Sequence, residues 1–132
     1  MAFAAATAFT NKLRAGFVDR YRSAATYTAE AKYCAIGVGA TSAARTAAAA
    51  DTALSSEVET RSAGTSSQVT TSVTGDTYQV VGTVSITANR AIDEAATFDA
   101  STGGNIGMSA TMAVINLGNG DSLQLTWKAQ LA

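Results

Sequence analysis

The chain has 132 residues, 47% of them hydrophobic, 14% charged and 7% aromatic, with a formal net charge of −1. That length fits one domain, and a chain of this size buries about two-thirds of its unfolded surface, so neither disulfides nor a metal is required to hold it. The lack of histidine removes His-based metal sites and Ser-His-Asp or Cys-His catalysis, the lack of proline removes polyproline docking, the single cysteine removes intramolecular disulfides and Cys-rich zinc sites, and the charge balance argues against bulk nucleic-acid binding.

Small side chains dominate, with 29 alanines and 19 threonines. Each buries little area, so part of the stability is expected from binding something else. Charge is unevenly spread. Residues 1–50 hold six basic and two acidic residues, a net of +4, and residues 51–132 hold three basic and eight acidic, a net of −5. A basic arm on an acidic body points to docking on an acidic surface, such as a neighbouring copy. No apolar run reaches the ~18 residues of a transmembrane helix, and Met1–Phe9 carries no Lys or Arg ahead of its apolar stretch, so neither a membrane partner nor a secretory signal is expected.

Residues 8–22 read as a helix, with Phe9, Leu13, Phe17 and Tyr21 in one stripe and Thr7 or Thr10 as its cap. From Tyr27 the period changes to two, predicting a strand that ends at Gly37-Val38-Gly39. Residues 40–60 are expected to form an extended loop, with Asp51 capping one helical turn that packs through Leu54. Strands follow over Gln68–Thr74, Thr77–Ala88, Ala91–Asp99, Ile106–Ile115 and Ser122–Leu131, separated by turns at Gly75-Asp76, Asn89-Arg90, 101–105 and 118–121. Short strands without helices between them predict a mainly β fold, an antiparallel sandwich or small barrel of about six or seven strands. The division expected is an N-terminal helical arm over 1–26 and a single β-domain over 27–132.

No motif carries chemistry. Gly37-Val-Gly39 lacks the rest of a dinucleotide or P-loop signature and reads as a strand-ending turn. Asp76, Asp93, Glu94, Asp99 and Asp121 have oxygen ligands to offer a calcium ion, but no EF-hand spacing. Glu94 shares a strand face with Ile92, Ala96 and Phe98, so it is expected to pair with Arg61 or Arg90. Cys34 reads as a small apolar residue. No catalytic residue, cofactor or metal is expected, and the chain is not expected to be an enzyme.

Tyr33-Cys-Ala-Ile-Gly-Val-Gly39, then Asp51-Thr-Ala-Leu54 with Glu57 and Arg61, then Tyr78-Gln-Val-Val-Gly-Thr83 and Ile92-Asp-Glu-Ala95 leading to Phe98–Gly104, form an ordered succession. It closes with Ile115-Asn116, Gly120-Asp-Ser122 and Leu125-Thr-Trp127. Over about residues 33–132 this resembles small virion proteins of tailed bacteriophages, which serve as head decoration (cement), tail or fibre components. The resemblance implies a structural role in the particle. The leading expectation is a decoration protein on the outer surface of an icosahedral head, a homo-oligomer (a trimer) that bridges subunits of the major capsid protein. In that reading Phe9, Leu13 and Phe17 are the apolar anchor and Arg14, Arg20, Arg22 and Arg45 the polar contacts, so that removal of residues 1–22 leaves the β-domain folded. A tail or fibre component, with Tyr78 or Trp127 on a receptor-binding face, is the alternative. A carbohydrate-binding module is the second.

Overall fold

The computed structural model describes residues 5–22 and 29–131. In chain order they form β1 (Ala5–Phe9), α1 (Asn11–Tyr21), β2 (Tyr33–Gly37), β3 (Glu57–Ala63), β4 (Thr65–Val69), β5 (Thr77–Ser85), β6 (Arg90–Phe98), β7 (Ile106–Leu117) and β8 (Ser122–Gln130). Every strand pairing is antiparallel, and the strands make two sheets, β1-β7-β6-β2-β3 and β4-β5-β8. Two sheets with separate edges make a sandwich and not a closed barrel. The described residues hold eight strands, close to the six or seven expected.

Side-chain volume sets the spacing of the layers. Cys34, Ile36, Val80, Val84, Ile86, Ile92, Ala95, Met108, Ala110, Trp127 and Ala129 fill the space between the sheets. Where β5 crosses β2 the approach is close enough that a Cβ on Gly82 would lie 2.6 Å from the Cys34 sulfur. Only glycine fits there, where another strand approaches closely. The outer face of the five-stranded sheet is also covered. Ala35, Ala96, Phe98 and Ile106 cluster there with Tyr33 and Leu54. Burial on both faces explains why every residue of β6 from Ile92 to Phe98 is buried, with no alternation.

Several expectations change. The helix starts at Asn11, not at residue 8, because Thr10 caps it: its backbone is extended and its side chain accepts from the Leu13 N–H. Phe9 therefore belongs to a strand. Residues 51–56 form no helical turn, since the Asp51 carboxylate is engaged elsewhere. The strand expected at 68–74 sits at Thr65–Val69, and β3 was not anticipated at all. Its sequence, EVETRSA, has three charges, and Glu59 takes a positive φ of 62° where β2 and β3 slip register, so the period-two signal is broken. Of the strand expected from Tyr27, positions 27 and 28 lie outside the described residues, and pairing begins at Tyr33.

The described part of the N-terminal segment is built into the sandwich. β1 pairs with β7 from Ala5↔Met112 to Phe9↔Met108, and buried Thr10 donates its N–H to the Gly107 carbonyl (3.0 Å) and its hydroxyl to the Ile106 carbonyl (2.7 Å). Removing residues 1–22 would strip an edge strand and the groups that satisfy those carbonyls, so the remainder is not expected to keep its full stability.

Candidate functional site

The seven residues expected to meet a partner separate into three environments. Leu13 and Phe17 lie on the inward side of α1, with Gly16 buried between them. Phe9 meets Phe17 edge-to-face at 6.3 Å, and Phe17 meets Tyr78 the same way at 6.2 Å. Phe9 and Leu13 also pack on the main core. The apolar anchor is thus used inside the fold, to seat the helix on the sandwich. Tyr21, the fourth residue of the anticipated stripe, is 94% exposed. The stripe splits because Phe9 lies in β1, and because a four-residue repeat drifts about 40° per step around the helix, which carries Tyr21, the last residue of α1, off the seated side.

Arg45 is also internal, on the opposite side of the five-stranded sheet. The segment between Val38 and Ser56 lies over that face, and an ionic network ties it down. Arg45 donates through Nη1 to Glu94 Oε2 at 3.0 Å and through Nη2 to Asp51 Oδ2 at 2.6 Å. Asp51 Oδ2 further accepts from Ser109 Oγ (2.5 Å) and the Ala48 N–H (3.0 Å), and Glu94 Oε1 accepts from the Ser56 N–H (3.0 Å). The side chains are 15, 14 and 0% exposed for Arg45, Asp51 and Glu94. Gly37 makes the room, because a Cβ there would run into the Glu94 side chain.

The expected partners of Glu94 are therefore corrected. Arg61 instead pairs with Glu57 at 2.6 Å and lies over the Phe98 ring at 3.5 Å, and Arg90 pairs with Glu59 at 2.9 Å. The arginine that pairs with Glu94 comes from the segment in which an alanine-rich run obscures any pattern.

The remaining carboxylates weighed as cation ligands are occupied too. Asp93 accepts from the Ala40 and Thr41 N–H groups (3.0 and 2.8 Å). Burial by itself would raise its pKa, but those backbone bonds outweigh it and hold Asp93 below the ordinary range. Asp76 accepts from the Thr71, Ser72 and Val73 N–H groups, and it too is held well below that range, by the Val73 and Thr71 bonds above all. Asp99 binds Asn105, and Asp121 accepts from the Gly118 N–H. Among the described residues, no three His, Cys, Asp or Glu side chains come together as metal ligands. Burial pushes the Cys34 thiol up to about 11, which leaves an inert thiol at neutral pH.

What remains outward is the far side of α1. Lys12, Arg14, Val18, Tyr21 and Arg22 are exposed there, against Asp19, the one acid of α1, while Arg20 is exposed beside Leu13 and Phe17 on the seated side. Arg22 is 3.6 Å from Asp19, and Arg14 is 3.5 Å from the Asn11 side chain. Arg20 also borders a cleft of about 350 Å³ with Phe17, Ala29, Glu30 and Tyr78, where the Tyr78 hydroxyl donates to Glu30 at 3.1 Å. The helix is thus seated by one side and presents a cationic, partly apolar surface on the other. Tyr21 was expected on the inward stripe, and Lys12 and Val18 were not named as partner contacts; the outward turn of Tyr21 and Val18 shows only once the packing of Leu13 and Phe17 fixes which side of the helix is seated. Tyr78 and Trp127, the aromatics that a receptor-binding face would use, are half-buried and buried.

Comparisons of this chain with family models, with curated proteins and with solved structures returned no match.

Proposed function

We propose that this chain is a structural protein of a tailed-phage particle, a decoration protein that seats as a homo-oligomer on the outer surface of the head and bridges subunits of the major capsid protein. The observation that carries the reading is the outer side of α1. Exposed Arg14, Val18, Tyr21 and Arg22 form a cationic and apolar surface on a helix already anchored by its other side. Such a surface suits an acidic protein face, with the arginines taking carboxylates and Tyr21 supplying buried area. The ordered motifs over residues 33–132 that resemble tailed-phage virion proteins support the same role. The mechanism is linkage: a protein that binds only the assembled lattice makes opening the shell cost those contacts as well.

Two measurements test the reading. In purified particles, quantitative mass spectrometry should find a copy number comparable with that of the coat protein; a few copies per particle would move the chain to the tail or a vertex. Arg14→Glu combined with Arg22→Glu changes two exposed side chains and should leave the fold intact while abolishing co-sedimentation with particles. Undiminished co-sedimentation would refute the role of the helix.

A further inference from the structure

We propose that the free edge of β8 is a self-association surface, at which a second copy of this chain adds its own β8 antiparallel about a two-fold axis. The two three-stranded sheets then become one six-stranded sheet. The inference concerns the isolated chain and does not depend on the particle role.

The backbone defines the edge. β5 and β8 pair without interruption from Thr77↔Gln130 to Ser85↔Ser122. Just beyond its ends, Leu131 donates to the Asp76 carbonyl and the Asp121 carbonyl accepts from Ile86, both at 2.9 Å. Bonded and non-bonded positions alternate in an antiparallel ladder, so the odd-numbered residues of β8 bond to β5. Ser122, Gln124, Thr126, Lys128 and Gln130 consequently turn their N–H and C=O groups away from β5. Among the described residues no strand takes them up.

The other edges differ in kind. β1 and β4 span five residues each. β3 carries Glu57, Glu59 and Arg61, a positive φ at Glu59 and a register slip, the devices by which an edge is kept from pairing. β8 has nine residues, no bulge, no proline and one charge.

The pattern is also self-complementary. With the two-fold axis at Thr126, all five outward positions find partners: Thr126 meets its copy, Gln124 meets Lys128, and Ser122 meets Gln130. About ten backbone hydrogen bonds form, and no like charges face each other. An axis at Lys128 would oppose two lysines, which disfavours that register. On the inner side the axis at Thr126 sets Leu125 beside the partner copy's Trp127 and Leu123 beside its Ala129, extending cover over leucines that are half-buried in one copy. One strand pair buries less than the ~1,600 Å² of a standard interface, so the association is concentration-dependent. Its two-fold symmetry differs from the trimer that the resemblance implies.

Sedimentation equilibrium of the full chain from about 1 µM to about 1 mM tests this. A monomer–dimer equilibrium is expected. Gln124→Glu faces Lys128 of the partner copy twice per dimer and should tighten it roughly threefold to tenfold, while Gln124→Lys should weaken it by a similar factor. Thr126→Pro removes one outward donor that β5 does not use and should abolish the dimer, with circular dichroism reporting the fold. If that variant fails to fold, the opposite signs at Gln124 still decide. A monomer at every concentration, a trimer, or a dimer indifferent to both Gln124 variants would overturn the proposal.

Discussion

Arg45→Met puts the buried ionic network to a direct test. The substitution keeps much of the side-chain length and removes the guanidinium, leaving Glu94 at 0% exposure with only the Ser56 N–H, and Asp51 with Ser109 and the Ala48 N–H. All three members are less than a fifth exposed, so solvent screening does not rescue the orphaned carboxylates. Removing one partner of such a pair costs about 3–5 kcal/mol, a large share of the ~5–15 kcal/mol that holds a typical domain together. Tm should fall by roughly 10 °C or more. Urea unfolding followed by the fluorescence of Trp127, the single tryptophan and a core residue, gives the number. Glu94→Gln alone should cost less, because Arg45 keeps Asp51, and the double variant should cost less than the sum of the two, with a coupling of about 0.5–3 kcal/mol. A loss below about 1 kcal/mol for Arg45→Met, the range of an exposed ion pair, or strict additivity in the cycle, would refute the claim that this network fastens the 38–56 segment to the sheet.

Thr10→Ala removes both the helix cap and the donor to the Ile106 carbonyl, and should cost about 1–2 kcal/mol in urea unfolding. Gly82→Ala forces a methyl into the Cys34 sulfur at the sheet crossing and should cost about 1–3 kcal/mol; Gly118→Ala, with no atom nearer than 3.5 Å to the new carbon, serves as the control and should be far milder. The pH profile should fall away at both ends. Glu59, whose bonds from Thr87 and Arg90 hold it down to about 2, is joined by Asp76 and Asp93, which are also depressed. Their contribution is complete above the ordinary carboxylate range and is lost as pH drops from about 4.5 towards 2. Burial raises Cys34 and Tyr78, so their contribution is complete below pH 9 and is lost as pH climbs beyond it. Thermal melts across pH 2 to 11 check both limbs, and a flat acid limb would contradict the carboxylate contacts.

Local periodicity determined much of this protein. The alternation through Thr77–Ser85 and Ser122–Gln130 and the glycine and asparagine turns between strands announced an antiparallel β fold, and Thr10 was one of two caps legible for α1, because those signals reside in a few consecutive residues. The need of Glu94 for a cation was legible for the same reason, since an acid in an apolar strand must be neutralised somewhere. Which cation it receives was decided 49 positions away, by a loop whose alanines carry no period, and no short-range rule connects Arg45 to Glu94. The rotation of α1 behaved likewise. Its stripe looked continuous from Phe9 to Tyr21, yet the strand pairing of β1 with β7 and the bonds from Thr10 to Ile106 and Gly107 moved the start of the helix. Phe9 thereby became part of a sheet, and with Leu13 and Phe17 seated on the sandwich, Tyr21 at the helix end was left in solvent. Period and turn chemistry depend on neighbours in the chain and can be read from it. Sheet order, the free edge of β8 and the partner of a buried charge depend on which distant backbones come together, and only the packed tertiary structure settles those.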